Sequence, residues 1–303
     1  MYQRNSLHIE TTNRCTLKCP ACPRTVWQNL IHKPIPKADL DLNHLEKFLD
    51  CESDKNIDTF NLCGDYGDTI YYPHLFKMLK MFRHKGFRIA TNGSYKTKKW
   101  WQELNDLLSD KDVITLGIDG LYEDNKKYRV NADWDSINTA IEVLSSGPAK
   151  VRVQTLVFDF NHNKLDDIKS WAESKGMEWF SLKTSRFGMD KDIIPKNKDQ
   201  VNTREMYNKD FQKQLPMKII PQCLQSCVIT SDGYFMPCDW IRNPLTFYKS
   251  ELFLEKKKWI DRLKISDITL DDAHSVLEEW MDNVKANGLN GNAEVLCKMK
   301  CRA

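Results

Sequence analysis

The residues of this chain best equipped for chemistry are its ten cysteines, at positions 15, 19, 22, 51, 63, 223, 227, 238, 297 and 301. The opening residues MYQRNSLHIE lack the apolar stretch of an export signal. The compartment expected is therefore the cytoplasm, where thiols stay reduced and clustered cysteines serve metal or redox chemistry. Within TTNRCTLKCPACPRT, Cys15, Cys19 and Cys22 are spaced C-x3-C-x2-C. Three thiolates in one short loop can converge on a soft metal centre. Three is one fewer than a closed zinc site or a fully ligated [4Fe–4S] cluster uses, so an iron–sulfur centre held here keeps one iron open to another ligand. A zinc site completed by His8 or His32 is the alternative, although zinc usually pairs one C-x2-C with a second such pair.

A second group lies in the C-terminal third. The stretch CLQSCVITSDGYFMPC contains C-x9-G-x4-C from Cys223 through Gly233 to Cys238, and Cys297 and Cys301 follow as C-x3-C. With Cys227, five thiols compete for the four positions of a [4Fe–4S] cluster. A zinc knot pairing 223/227 with 297/301 also fits and leaves Cys238 idle. Cys51 ends a helical pattern and Cys63 ends a strand, and both read as buried apolar thiols.

The elements that must position these groups alternate in type. Short apolar or β-branched runs fall near Ser6–Thr11, Asp58–Cys63, Phe87–Thr91, Val113–Ile118, Val151–Phe158 and Glu178–Lys183, each bounded by Gly, Asn or Asp. Between them, apolar residues recur at helical spacing: Leu75, Met78, Leu79 and Phe82; Trp100, Leu104, Leu107 and Leu108; Ile137, Ile141 and Leu144; Leu165, Ile168 and Trp171. Such β–α alternation predicts an α/β fold, a parallel sheet covered by helices through right-handed crossovers. Residues 1–190 form that domain, the polar segment 191–214 a linker or lid, and 215–303 a small α+β domain with a hairpin at Asp232-Gly233 and a helix over Leu270–Ala286. The length of 303 residues fits two domains. A net charge of +3 gives no field for nucleic acid or membrane, and a mean hydropathy of −0.57 comes without any membrane-length apolar run.

The cysteine triplet directly after the first strand of a β/α repeat resembles the radical S-adenosylmethionine (radical SAM) superfamily. The likeness spans most of residues 6–185. It implies a partial (β/α)6 TIM-type barrel with its site at the C-terminal mouth of the strands. It implies a [4Fe–4S] cluster on Cys15, Cys19 and Cys22 whose open iron chelates S-adenosylmethionine, reductively cleaved to a 5′-deoxyadenosyl radical that abstracts hydrogen from a substrate C–H bond. After the second strand, Gly64, Asp65, Gly67 and Asp68 stand where the superfamily has a Gly-Gly-Glu-Pro-like segment for the SAM amino group. An ordinary Gly-Asp turn is the competing reading. Thr91, Asn92 and Ser94 resemble the ribose-contacting segment, and Asp119 closes a familiar strand-end signature. One departure is Ala21, where the superfamily often places an aromatic beside adenine.

The C-terminal pattern resembles the shortened SPASM extension called Twitch, which carries one auxiliary Fe–S cluster. Cys223, Cys238, Cys297 and Cys301 are then its ligands, with Cys227 as an alternative. Relatives of this layout modify ribosomally made peptides or oxidise small molecules, with a flavodoxin- or ferredoxin-type reductant as partner. An RNA-modifying enzyme docking through Lys77, Lys80, Arg83, Lys85, Arg88, Lys96, Lys98 and Lys99 is one rival, although the helical phase favours a solvated outer face for these residues. A non-catalytic zinc module is the other. Trp100, Trp171 and Trp280 fall on apolar helical faces, as core residues do, and Tyr66, Gln154, Arg186 and Asp239 lie within reach of a substrate in such a barrel.

Overall fold

β-branched and aromatic runs lose little by extending, and amphipathic runs gain by coiling, so this sequence produces the alternation its periodicities dictate. The computed structural model describes residues 5–31, 37–64, 66–184, 192–201, 227–238, 258–287 and 297. Asp65, Arg186, Cys223, Asp239, Cys301 and His32 lie outside the described residues, as does all of 202–214. The elements named below are β1 (Ser6–Ile9), α1 (Pro23–Ile31), α2 (Leu42–Phe48), β2 (Thr59–Leu62), α3 (Leu75–Met81), β3 (Gly86–Thr91), α4 (Lys98–Asn105), β4 (Val113–Gly117), α5 (Glu123–Lys126), α6 (Trp134–Leu144), β5 (Lys150–Val157), α7 (Leu165–Ser174), β6 (Glu178–Lys183), β7 (Val228–Ile229), β8 (Phe235–Met236) and α8 (Leu270–Asn287). The fold is mixed α/β with a parallel sheet.

The chain divides into two compact units. The larger takes Thr11–Ala38 and Asn61–Thr203. In it β3, β4, β5 and β6 run parallel in chain order, with Thr91 opposite Leu116, Leu116 opposite Val153, and Gln154 opposite Phe180. β5 buries every second residue, the period of a sheet covered on one face more than on the other. The helices that follow each strand bury the expected stripes: Leu75, Met78 and Leu79 on α3, and Ile137, Ala140, Ile141 and Leu144 on α6. One stripe is out of phase with expectation. Thr97 caps α4 by accepting from the Trp100 amide at 3.2 Å, and from that start Trp101 and Leu104 turn inward while Trp100 stays half-buried against Phe76. Trp171 is also only partly buried, whereas Trp280 is fully enclosed.

The smaller unit gathers the described residues within Met1–Glu10, Asp39–Phe60 and Arg204–Ala303. β7 lies parallel to β1, with His8 opposite Val228, and antiparallel to β8. The β7–β8 turn is the one that Asp232-Gly233 predicts, and Gly233 takes φ +85°, a conformation side chains rarely adopt. Phe48 of α2 meets Phe235 at 5.3 Å, and Trp259 meets Trp280 edge-on at 5.1 Å. α8 buries Leu270, Ala273, Leu277, Trp280 and Val284 along one stripe. Among the described residues no helix is long and apolar enough to cross a membrane.

Candidate active site

The loop from Thr11 to Cys22 is held by the polar groups of its own sequence. Asn13 donates its amide to the Ala38 carbonyl at 3.1 Å and accepts from the Ala38 amide at 2.9 Å. The Cys22 amide donates to the Cys19 carbonyl at 3.1 Å, closing a turn that leads straight into α1. This geometry puts Cys15, Cys19 and Cys22, none of them in a disulfide and all half-buried, on the wall of one cavity of about 250 Å³. The other walls are the C-terminal ends of the strands: Cys63, Gly64 and Gly67 after β2, Thr91 and Asn92 at β3, Gly117 at β4, Gln154 and Leu156 on β5. In an α/β sheet that is where loops gather side chains and ligands bind.

Cys15 occupies one corner, beside Asp68 and Asn92. Asp68 is almost wholly buried; its Oδ2 accepts from Thr91 Oγ1 at 3.1 Å, the Asn92 amide at 2.7 Å and Asn92 Nδ2 at 2.5 Å, and its Oδ1 accepts from the Ile70 amide at 3.2 Å. Asn92 Nδ2 also donates to Cys15 Sγ at 3.7 Å, and the Leu17 amide donates to the same sulfur at 3.4 Å. Gly67 makes this corner possible. A Cβ there would stand 2.0 Å from the Thr12 carbonyl oxygen, so the loop before Asp68 could not otherwise lie against the cysteine loop. Burial, with Asp68 adding, pushes the Cys15 thiol up to about 12; burial also raises Asp68.

Cys19 occupies the other corner, beside Arg129. Asp119 is fully buried and pairs its Oδ2 with Arg129 Nε at 2.8 Å, while its Oδ1 accepts from the Leu156 amide at 2.8 Å. Asn125 and Asn161 brace the pair: Asn125 Oδ1 accepts from the Asp119 amide at 2.9 Å, and Asn161 Nδ2 donates to the Asp119 carbonyl at 2.7 Å. Gly117 leaves room for the guanidinium, since a Cβ would meet Arg129 Nη2 at 2.5 Å. Burial works against the Arg129 charge, and Asp119 and Cys19 more than offset it. Burial also raises the Cys19 thiol to about 12, with Arg129 pulling the other way.

The structure thus brings Gly64, Gly67, Asp68, Thr91 and Asn92 to the cavity wall with the cysteines. Ser94 and Asp119 are buried behind it, Ser94 Oγ accepting from the Asp133 amide at 3.2 Å. Cys63, read from sequence as a buried apolar thiol, is half-buried and lines the cavity, and Cys51 is half-buried as well. Gln154 and Tyr66 do reach the wall. Sequence reasoning missed Arg129 and Tyr128. Tyr128 packs on Phe158 with ring centroids 4.2 Å apart and shares a buried cluster with Ala21 and Ile193, so an aromatic from a different loop stands beside position 21. Ile193 belongs to the segment expected as linker or lid; its carbonyl accepts from the Asp159 amide at 3.0 Å. Of the basic stretch, Lys98 pairs with Glu142 at 2.8 Å, Lys96 sits 4.7 Å over the Trp100 ring, and Lys85 is buried.

Among the described residues no three His, Cys, Asp or Glu side chains are grouped closely enough to hold one metal ion. A cubane cluster is bound iron by iron at separate corners, so its thiolates stand further apart than those on a single ion. Three thiols outside any disulfide around one cavity fit that larger group. In the smaller unit, Cys227 and Cys297 are buried and Cys238 is half-buried; Cys227 Sγ donates to the Pro237 carbonyl at 3.8 Å.

No family model matches the chain. A GTP 3′,8-cyclase of Mesorhizobium japonicum is 23% identical over 227 residues, 71% of this chain and 64% of that protein. The tungsten-containing aldehyde ferredoxin oxidoreductase cofactor-modifying protein of Pyrococcus furiosus is 22% identical over 213 residues, 65% of this chain and 53% of that protein. The chain therefore spans between about half and two thirds of these relatives. Among solved structures, native anSMEcpe with bound AdoMet and the Cp18Cys peptide superposes with a TM-score of 0.61 at 16% identity, covering 98% of this chain and 89% of that one. Streptococcus suis SuiB bound to S-adenosylmethionine gives 0.55 at 13% identity, over 78% of this chain and 60% of that one. The fold is that of S-adenosylmethionine-bound structures, and together with the relatives it supports the resemblance of the cysteine triplet to the radical SAM superfamily.

Proposed function

We propose that this chain is a radical SAM enzyme that acts on a C–H bond of a peptide or small-molecule substrate. The observation that carries the reading is the convergence of three cysteines outside any disulfide, Cys15, Cys19 and Cys22, on one cavity at the C-terminal ends of parallel strands. A [4Fe–4S] cluster held there, with S-adenosylmethionine on its open iron, supplies reductive cleavage to a 5′-deoxyadenosyl radical. The chain's own residues do the rest. Cys15, Cys19 and Cys22 bind the cluster. Gly64, Gly67 and Asp68 with Thr91 and Asn92 at the end of β3 are the residues proposed to lie along S-adenosylmethionine, and Ser94 holds Asn92 through its amide. Tyr128 offers the flat face that Ala21 lacks. Arg129, kept charged by Asp119, is a fixed cation of a wall that Arg24 also lines, and Gln154 adds a polar group from β5. Leu17, Tyr128 and Leu156 give the same wall an apolar portion.

Residues 215–303, with Cys223, Cys238, Cys297 and Cys301 or Cys227 as ligands, are proposed as a Twitch/SPASM-like domain for one auxiliary cluster, and 191–214 as its linker. The peptide reading draws support from similarity to structures solved with the Cp18Cys peptide and with the precursor peptide SuiA. Anaerobically reconstituted protein, reduced with dithionite or a flavodoxin in the presence of S-adenosylmethionine, is expected to release 5′-deoxyadenosine. Cys15→Ala, Cys19→Ala and Cys22→Ala should each abolish that release. A colourless, air-stable protein carrying zinc, with no cleavage product, would end the reading.

A further inference from the structure

The Asp68 carboxylate stands where the resemblance places the acceptor for the SAM ammonium, yet the structure gives it other work. Its Oδ2 already takes three donors, Thr91 Oγ1 at 3.1 Å, the Asn92 amide at 2.7 Å and Asn92 Nδ2 at 2.5 Å, and its Oδ1 takes the Ile70 amide at 3.2 Å. A carboxylate offers about four acceptor positions, so few remain for a ligand. Asn92 is held at both ends. Its Oδ1 accepts from the Ser94 amide at 2.9 Å, which fixes the amide orientation and turns Nδ2 toward Asp68 and, at 3.7 Å, toward Cys15 Sγ. Thr91 is tied into the same knot, accepting at Oγ1 from the Gly93 amide at 3.1 Å. The Asp68 amide in turn donates to the Arg14 carbonyl at 2.9 Å, one residue before Cys15.

We propose that Asp68 is a positioning residue: it clamps Asn92 so that the Asn92 side chain donates a hydrogen bond to the sulfur of Cys15. The proposal rests on the reading above in which Cys15 ligates a cluster. Donors to a ligating sulfur stabilise the more negative, reduced cluster and so raise its potential. A neutral amide does this without adding a charge beside the cavity, and the buried carboxylate is what fixes its direction.

The test uses reconstituted full-length wild type, Asn92→Ala, Asn92→Ser and Asp68→Asn, measuring iron per chain, the cluster midpoint potential and the equilibrium binding of S-adenosylmethionine. Asn92→Ala should keep wild-type iron and shift the midpoint to lower potential. Asn92→Ser, which is shorter and cannot span both partners, should shift it the same way and serves if the alanine variant does not fold. Asp68→Asn should weaken S-adenosylmethionine binding by less than about tenfold, because no ammonium partner is lost; removing one partner of a buried charge pair costs about thirtyfold or more. An unchanged midpoint at full iron in either Asn92 variant overturns the hydrogen-bond assignment. A loss of about thirtyfold or more in Asp68→Asn makes Asp68 a direct ligand and overturns the positioning role. An iron content that Cys15→Ala, Cys19→Ala and Cys22→Ala together leave unchanged from wild type fails at the earlier step and removes the triplet cluster itself.

Discussion

The two corners of the cavity solve the same problem by opposite means. At Cys15 a buried carboxylate, Asp68, is surrounded by neutral N–H and O–H donors; at Cys19 a buried carboxylate, Asp119, faces a guanidinium. The first arrangement spends hydrogen bonds to fix direction, and the second neutralises one charge with another at 2.8 Å. Both corners need a glycine, but for different neighbours: Gly67 lies against main chain, Gly117 against the end of a side chain. The Arg129 corner is therefore the one whose disruption leaves an uncompensated buried charge.

The sharpest way to break the comparison is Arg129→Met. It strands Asp119 in the interior and should lower the stability of the metal-free chain by about 3–5 kcal/mol in urea unfolding. Adding Asp119→Asn should restore much of that loss, because the stranded charge is then gone. Equal destabilisation by single and double variants would show the pair to be incidental. Gly67→Ala comes next, at about 1–3 kcal/mol, since its new methyl meets the Thr12 carbonyl and main chain must shift. Gly117→Ala should cost less if the guanidinium can move, and as much if Asp119 pins it; unfolding midpoints of the two variants decide. Asp68→Asn should cost about 1–2 kcal/mol, the scale of weakened hydrogen bonds with no orphaned charge.

The thiols sharpen the contrast through pH. Cys15 and Cys19 rise from the ordinary 9.0 to about 12 in the folded, metal-free chain. The folded state then holds these protons more tightly than the unfolded one. Their contribution is fully present below pH 9 and is lost as pH climbs toward 12. Unfolding midpoints of the metal-free chain should fall over that window, and less steeply in Cys15→Ala and Cys19→Ala. The smallest expected effect is in reactivity. Only the thiolate alkylates readily, so both cysteines should react slowly with iodoacetamide at pH 8. Asp68→Asn should speed Cys15 several-fold, while Arg129→Met should slow Cys19. Per-residue mass spectrometry reads both.

Much of this was legible in sequence where signals are local. Val113–Gly117 and Glu178–Lys183 are short β-rich runs between turn residues, and they are strands at nearly the expected bounds. Cys15, Cys19 and Cys22 could be placed at one site because three thiols within eight residues stay close together. Arg129 was not legible, because its importance comes from Asp119, ten residues away in a separate loop, and from space that Gly117 leaves. The parallel pairing of Val228 with His8 is equally silent, since no local pattern encodes a partner so distant in sequence. Trp100 was misplaced by one position because the α4 phase is set by its Thr97 cap and not by apolar residues alone. Ala21 is the reverse case: the departure was visible, but the aromatic neighbour Tyr128 is brought to it only by packing.

The most direct test of the central claim is iron and acid-labile sulfide per chain after anaerobic reconstitution, on wild type and on a chain carrying Cys15→Ala, Cys19→Ala and Cys22→Ala together. About eight irons falling to about four is the predicted result, placing one [4Fe–4S] cluster on the triplet and one on the C-terminal cysteines. An iron content that the triple substitution leaves unchanged, or zinc in place of iron throughout, would contradict it.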